Sequence, residues 1–134
     1  MLVLDCSNLD VGVLGSNNSL AFMNQGANGI ITNGGCRDTD EVILEKIPVW
    51  CRHISRTMDQ GRIEFSDMMN PVNIGGVKVN PGDVVVADGD GVIVVPREKA
   101  LDVAKYARRV HDKSNKGRRK LYKKAGLIED NSLN

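Results

Sequence analysis

The sequence predicts one α/β domain, and three observations carry that reading. Short apolar strands alternate with helical segments through the first half of the chain. Two valine-rich strand pairs follow, each broken by turn residues, and the last third holds apolar residues at helical spacing. At 134 residues the chain has room for a single core and not for two independent ones.

Leu2 to Leu4 opens as an apolar strand directly at Met1, an abrupt start with the look of a truncation. Asn17-Asn18-Ser19 supplies capping residues for a short helix through Leu20 to Met23, which Gly26 would end. Residues 29–32 read as a buried strand, and Asn33-Gly34-Gly35 as a tight turn after it. Asp38, Asp40 and Glu41 precede Val42-Ile43-Leu44, and acids in a first turn favour a helix start. Pro48 stops that helix, and Pro48-Val49-Trp50 forms the next strand. Residues 52–70 are polar and weakly periodic, which predicts a loop or irregular edge.

From Pro71 onward the pattern is β. Val72 and Ile74 precede Gly75-Gly76, Val77 and Val79 follow, and Asn80-Pro81-Gly82-Asp83 makes a turn. The runs Val84-Val85-Val86-Ala87 and Val92-Ile93-Val94-Val95, joined by Asp88-Gly89-Asp90-Gly91, predict a hairpin of buried strands. That joint superficially resembles a calcium loop, but the required glutamate is missing. A helix opens at Arg97-Glu98 with Ala100, Leu101, Val103, Ala104, Ala107 and Val110 at helical spacing. Gly117 is expected to interrupt it and Gly126 to end it.

Composition narrows the function classes. No apolar run reaches the roughly 20 residues that a membrane-spanning helix needs, and the start lacks a signal pattern, so a cytoplasmic protein is expected. Cys6, Cys36 and Cys51 are too few and too scattered for a disulfide framework or a four-cysteine zinc site. His53 and His111 match no metal spacing and read as surface residues of a loop and a helix. Cys36 has no paired base and reads as a small buried side chain. Charge is uneven: residues 105–124 hold ten of the eighteen Lys and Arg and one acid, so that segment is +9 and the remainder −8. Such a segment is a solvated helix, or it meets an acidic surface, a neighbouring subunit or a polyanion. No recognised nucleic-acid motif accompanies it, and a nucleic-acid partner is not expected.

Four blocks together carry a resemblance. They are Gly26-x-x-Gly29-Ile30-Ile31-Thr32-Asn33-Gly34-Gly35-Cys36-Arg37-Asp38-Thr39-Asp40-Glu41; Ile47-Pro48-Val49-Trp50; Pro71-Val72-Asn73-Ile74-Gly75-Gly76-Val77-x-Val79-x-Pro81-Gly82-Asp83; and Ala87-Asp88-Gly89-Asp90-Gly91-Val92-Ile93-Val94-Val95-Pro96. In order and spacing the chain resembles the RraA-like and 4-hydroxy-4-methyl-2-oxoglutarate aldolase superfamily over roughly residues 12–105. The resemblance implies a swivelling β/β/α layered sandwich, here without the usual N-terminal segment, over residues 1–112, with residues 113–134 as a basic helical tail. It implies a magnesium- or manganese-dependent lyase, an aldolase or decarboxylase, that releases pyruvate from a small 4-hydroxy-2-oxo acid or oxaloacetate. It also implies assembly as a trimer or hexamer.

By the same resemblance, Arg37 binds the substrate carboxylate and Asp38 is the metal ligand, these two being the catalytic residues. Ser16, Asn17 and Asn18 bind substrate oxygen at a helix start, and Gly34 and Gly35 shape the pocket. The residue types suit these roles. An arginine fork donates two parallel hydrogen bonds to a carboxylate, and magnesium prefers hard oxygen ligands and keeps several waters. The family's additional acid is missing from Gly15-Ser16-Asn17-Asn18, and Glu129 or Asp130 of a neighbouring copy is a candidate to supply it. The missing acid leaves open a second reading, a non-catalytic regulator acting by protein contact, and a third, a degenerate member.

Overall fold

A computed structural model describes residues 1–133. The chain divides into two compact units, residues 1–94 and residues from 95 onward.

In the first unit a parallel sheet holds β1 (Leu2–Leu4), β2 (Gly12–Leu14), β3 (Ile30–Cys36) and β4 (Val49–Ile54). β3 is central. Its first half pairs with β1, its second half with β2, and β4 runs along its other side. Two helices connect these strands, α1 (Ser16–Asn24) and α2 (Thr39–Leu44). The core joins Leu14, Ile30, Cys36, Val42 and Ile47, with Phe22 and Met23 of α1 packed against them. Parallel strands covered on a face by helices tolerate little polarity, which is why β3 is buried along its whole length.

Two hairpins complete the unit. β5 (Val72–Ile74) and β6 (Val77–Val79) are antiparallel, with Ile74 opposite Val77. Gly75 and Gly76 both have positive φ, at 60° and 84°, as a two-residue turn matched to strand twist requires. β7 (Val84–Ala87) and β8 (Val92–Val95) form the second pair, closed by the Asp88 N–H donating to the Gly91 carbonyl at 3.0 Å. The Trp50 indole N–H donates to the Asp88 carbonyl at 2.7 Å and ties this hairpin to β4. A cavity of about 300 Å³ lies between Val3 and Ile31 on the sheet and Ile74, Val79, Val85 and Val92 on the hairpins.

A buried amide knot holds the start of the chain. The Asn33 amide donates to Asp5 Oδ1 at 2.8 Å and to the Asn73 carbonyl at 3.0 Å, and its oxygen accepts from the Cys6 N–H at 2.6 Å. Asp5 Oδ2 accepts from the Asn73 N–H at 3.0 Å. Burial alone would raise the Asp5 pKa. The Asn33 amide and the backbone N–H groups of Asn73 and Ser7 outweigh it and lower the value below 3.8.

The second unit is a short 3-10 turn (Arg97–Lys99) and α3 (Ala100–Ala125), ended by Gly126 in the left-handed conformation at φ 67°. The tail folds back along it. Arg119 donates to the Leu133 carbonyl at 2.6 Å and pairs with Glu129 at 3.3 Å, and Leu133 is buried.

Several expectations need correction. Asn33-Gly34-Gly35 is not a turn but the middle of β3, because Gly12–Leu14, unmarked in the sequence, forms a strand that extends the pairing. α1 starts at Ser16 with Gly15 in the capping position; Ser19 is buried rather than a cap. β4 reaches Ile54, so His53 is a half-buried strand residue whose Nε2 lies 3.2 Å from the Asn8 carbonyl. β7 and β8 alternate in exposure instead of being buried throughout. Gly117 does not interrupt α3: one glycine costs about 1 kcal/mol in a helix, too little to break 26 residues.

Candidate functional site

The site forms where the ends of β2 and β3 run side by side. Gly12 pairs with Gly35 and Leu14 with Cys36, so the residues after each strand, Gly15-Ser16 and Arg37-Asp38, emerge together. In an open α/β sheet this is the edge where ligands bind, outside the carboxyl ends of the strands. The Arg37 N–H donates to the Leu14 carbonyl at 2.9 Å and fixes the junction.

Asp38 occupies the left-handed region at φ 55°, ψ 42°, as the residue before α2. Aspartate is one of the few residues that enter this region without a large penalty. Its side chain makes no cap to its own helix. Instead Oδ2 accepts from the Ser16 N–H at 3.3 Å, at the start of α1. The N–H groups of Asn17 and Asn18 also lie in that first turn and have no acceptor four residues back. The start of α1 therefore meets an exposed carboxylate carried by the residue before α2.

Arg37 lies across a glycine floor. A Cβ on Gly12 would sit 2.5 Å from both Cγ and Cδ of Arg37. A Cβ on Gly15 would collide with Asp38 Oδ2 and lie 3.8 Å from Arg37 Nη2. Arg37 Nε is buried without a hydrogen-bond partner among the described residues. A buried unpaired donor on a cation costs more than a neutral one, and an anion taken up at the guanidinium would offset that cost.

The structure thus brings Arg37, Asp38, Ser16 and the start of α1 at Asn17 and Asn18 to one place. Gly34 and Gly35 have another surrounding. A Cβ on Gly34 would meet Val13 Cγ1 at 2.6 Å and Cys6 Cβ at 2.9 Å, and one on Gly35 would meet Ser55 Cβ at 2.5 Å. Protein fills the room they leave, and they permit close strand packing. Gly12 was missed in the sequence, and Gly15 was named there only as the first residue of the helix-start segment. Their signal was a glycine directly before a helix, with a second one three residues earlier.

Neither acid of the tail is a free carboxylate in this chain. Glu129 pairs with Arg119, and Asp130 accepts from the Ser132 N–H at 2.8 Å. No cluster of three or more His, Cys, Asp or Glu fit to hold a metal occurs among the described residues. Asp38 presents an exposed carboxylate here, a hard oxygen donor. One carboxylate suits magnesium, which retains most of its water.

A family model described as RraA-like, Aldolase/RraA, matches residues 1–94. The chain belongs to the RraA-like family. Its fold is similar to the crystal structure of RraAS2 of Streptomyces coelicolor, described as an unusual member of the RNase ES inhibitor RraA protein family. The TM-score is 0.80 at 31% identity, over 89% of this chain and 61% of that one. Protein DlpA of Legionella pneumophila is 32% identical over 75 residues, 56% of this chain and 12% of DlpA. The 4-hydroxy-4-methyl-2-oxoglutarate aldolase of Thermus thermophilus is 29% identical over 89 residues, 66% of this chain and 53% of that enzyme. This RraA-like chain spans about half the length of several curated relatives that it matches. No helix among the described residues is long and apolar enough to cross a membrane.

Proposed function

We propose that this RraA-like chain is a divalent-metal-dependent carbon–carbon lyase that releases pyruvate from a small 4-hydroxy-2-oxo acid or from oxaloacetate. The observation that carries the reading is the placement of Arg37 and Asp38 together over Gly12 and Gly15 at the start of α1. A 2-oxo acid offers a carboxylate beside a carbonyl, and this pair offers a cation beside a hard oxygen ligand. Arg37 binds and orients the carboxylate through its planar fork. The N–H groups of Asn17 and Asn18 donate to a substrate oxygen. Asp38 holds magnesium or manganese, kept in place by the Ser16 N–H. When bound, such an ion supplies Lewis-acid stabilisation of the negative charge left by bond cleavage.

The test is pyruvate release from 4-hydroxy-4-methyl-2-oxoglutarate and from oxaloacetate, with magnesium and with a chelator. Chelator-sensitive turnover that disappears in both Arg37→Ala and Asp38→Ala supports the proposal. A folded chain with no turnover on either substrate overturns it.

One observation favours a second reading, a non-catalytic regulator acting by protein contact. The first turn of α1 carries no acid, so no second carboxylate strengthens the metal's hold or takes a proton there. Inhibition of an RNA-degrading enzyme that survives Asp38→Ala would support that reading.

A further inference from the structure

The cavity between the sheet and the two hairpins has a lining of one kind. Among the described residues nine side chains surround it, and all nine are valine or isoleucine of the first unit. Ile31 and Val79 are buried, at 3% and 7% exposure, whereas Val77 and Ile93 are 50% and 60% exposed, so the space has a closed end and a mouth. Protein interiors close on a void when long, flexible side chains swing into it. β-branched side chains are short and stiff at χ1, so this lining keeps the space open. Methionine, the residue that fills irregular gaps, occurs five times in the chain and is not one of the nine.

The lining also selects the occupant. None of its side chains carries a charge or a hydrogen-bonding group, so an ion or a strongly polar group inside would lose its hydration without replacement. Water fares no better, since purely apolar cavities stay dry. The volume, about 300 Å³, sets the size. A dry cavity of about 150 Å³ holds benzene, so by proportion this one takes about ten carbons. A stiff wall fixes the shape as well. It favours a branched or cyclic group over a straight chain, which loses more rotational freedom on being held. We infer that this cavity is a binding site for a neutral, compact hydrocarbon group, carried by a molecule whose polar end stays at the mouth beside Val77 and Ile93. Neither Arg37 nor Asp38 lines it, and the inference stands whether or not the chain is a lyase.

The experiment is a titration of the whole chain, its valine and isoleucine methyl groups isotope-labelled, with 1-adamantanol, a hydrocarbon cage bearing one hydroxyl. 1-Decanol, the straight-chain alcohol of equal carbon number, is the comparison. Adamantanol should shift the Val79 and Val85 methyl resonances to saturation and raise the urea midpoint, and decanol should bind about tenfold more weakly. Val85→Phe, which fills the space, should raise the midpoint without any ligand and abolish the shifts. Ile93→Lys changes only the exposed mouth and should weaken adamantanol about tenfold, by placing a charge beside the hydrocarbon. Wild-type chain with no saturable shift at Val79 and Val85 overturns the inference. So does decanol bound as tightly as adamantanol, or Val85→Phe that binds undiminished. Wild-type chain that exceeds 14.6 kDa, ignores adamantanol and returns to chain mass in Ile93→Lys also overturns it, since a second copy then covers the mouth.

Discussion

Asp38 joins two constraints in one residue. Its left-handed backbone turns the carboxylate away from its own helix, and the Ser16 N–H receives it. If the lyase proposal holds, Asp38→Asn keeps that hydrogen bond and loses the charge, so magnesium affinity by calorimetry should fall with little change in folding. Gly15→Ala is the sharper probe, since the new Cβ would collide with Asp38 Oδ2. Turnover is expected to fall about 100-fold or more, as misplacing a group by about an ångström commonly does. Unchanged turnover in Gly15→Ala would show that the carboxylate works from another position. At Arg37, lysine keeps the charge but not the fork, so Arg37→Lys should recover little of what Arg37→Ala loses.

Asp5 makes a prediction about pH. Its native pKa lies below 3.8 while the unfolded chain has an ordinary aspartate. A depressed native pKa contributes stability that is present above the unfolded value and lost as pH falls through the native one. The urea midpoint should therefore drop below about pH 4, and Asp5→Asn should flatten that part of the profile. Asn33→Ala, which removes one of the donors to Asp5 and leaves the Cys6 N–H without its partner, should cost about 2 kcal/mol in the same measurement.

At the scale of the element, β3 depends on side chains that are not there. Gly34 and Gly35 let β2, β4 and the segment at Cys6 close on it, and a Cβ on Gly35 would lie 2.5 Å from Ser55 Cβ and 2.8 Å from the Val11 carbonyl oxygen. Gly35→Ala should destabilise the chain by about 1–3 kcal/mol through overpacking, seen as a lower urea midpoint. α3 gives the opposite sign. Nothing lies within 4 Å of a Cβ at Gly117, so Gly117→Ala should stabilise that helix by about 0.5–1 kcal/mol, read as increased helicity on warming. The hairpins were legible because a turn with two positive-φ residues demands Gly75-Gly76, a local requirement. β2 was not, because three residues ahead of a helix carry no periodicity and become a strand only by pairing with β3.

At the scale of the molecule, opposite charge is sorted into the two compact units, and both present apolar residues to solvent. That sorting could be counted in the sequence. Which exposed residues share a face with which charges could not, because it needs α2 to project Ile43 and Leu44 outward while Val42 turns in.

The sequence by itself determined the α/β class, the hairpins and the family, and it singled out Arg37-Asp38 as candidates, since each reading rests on turn chemistry, periodicity or ordered motifs within short stretches of chain. Only the tertiary structure decided that Gly12 and Gly15 form the floor beneath that pair and that Gly34 and Gly35 lie inside a strand. Only it showed that Ser16 holds Asp38. These are contacts across 20 or more residues of sequence, created when parallel strands align their ends, and no local preference encodes the partner.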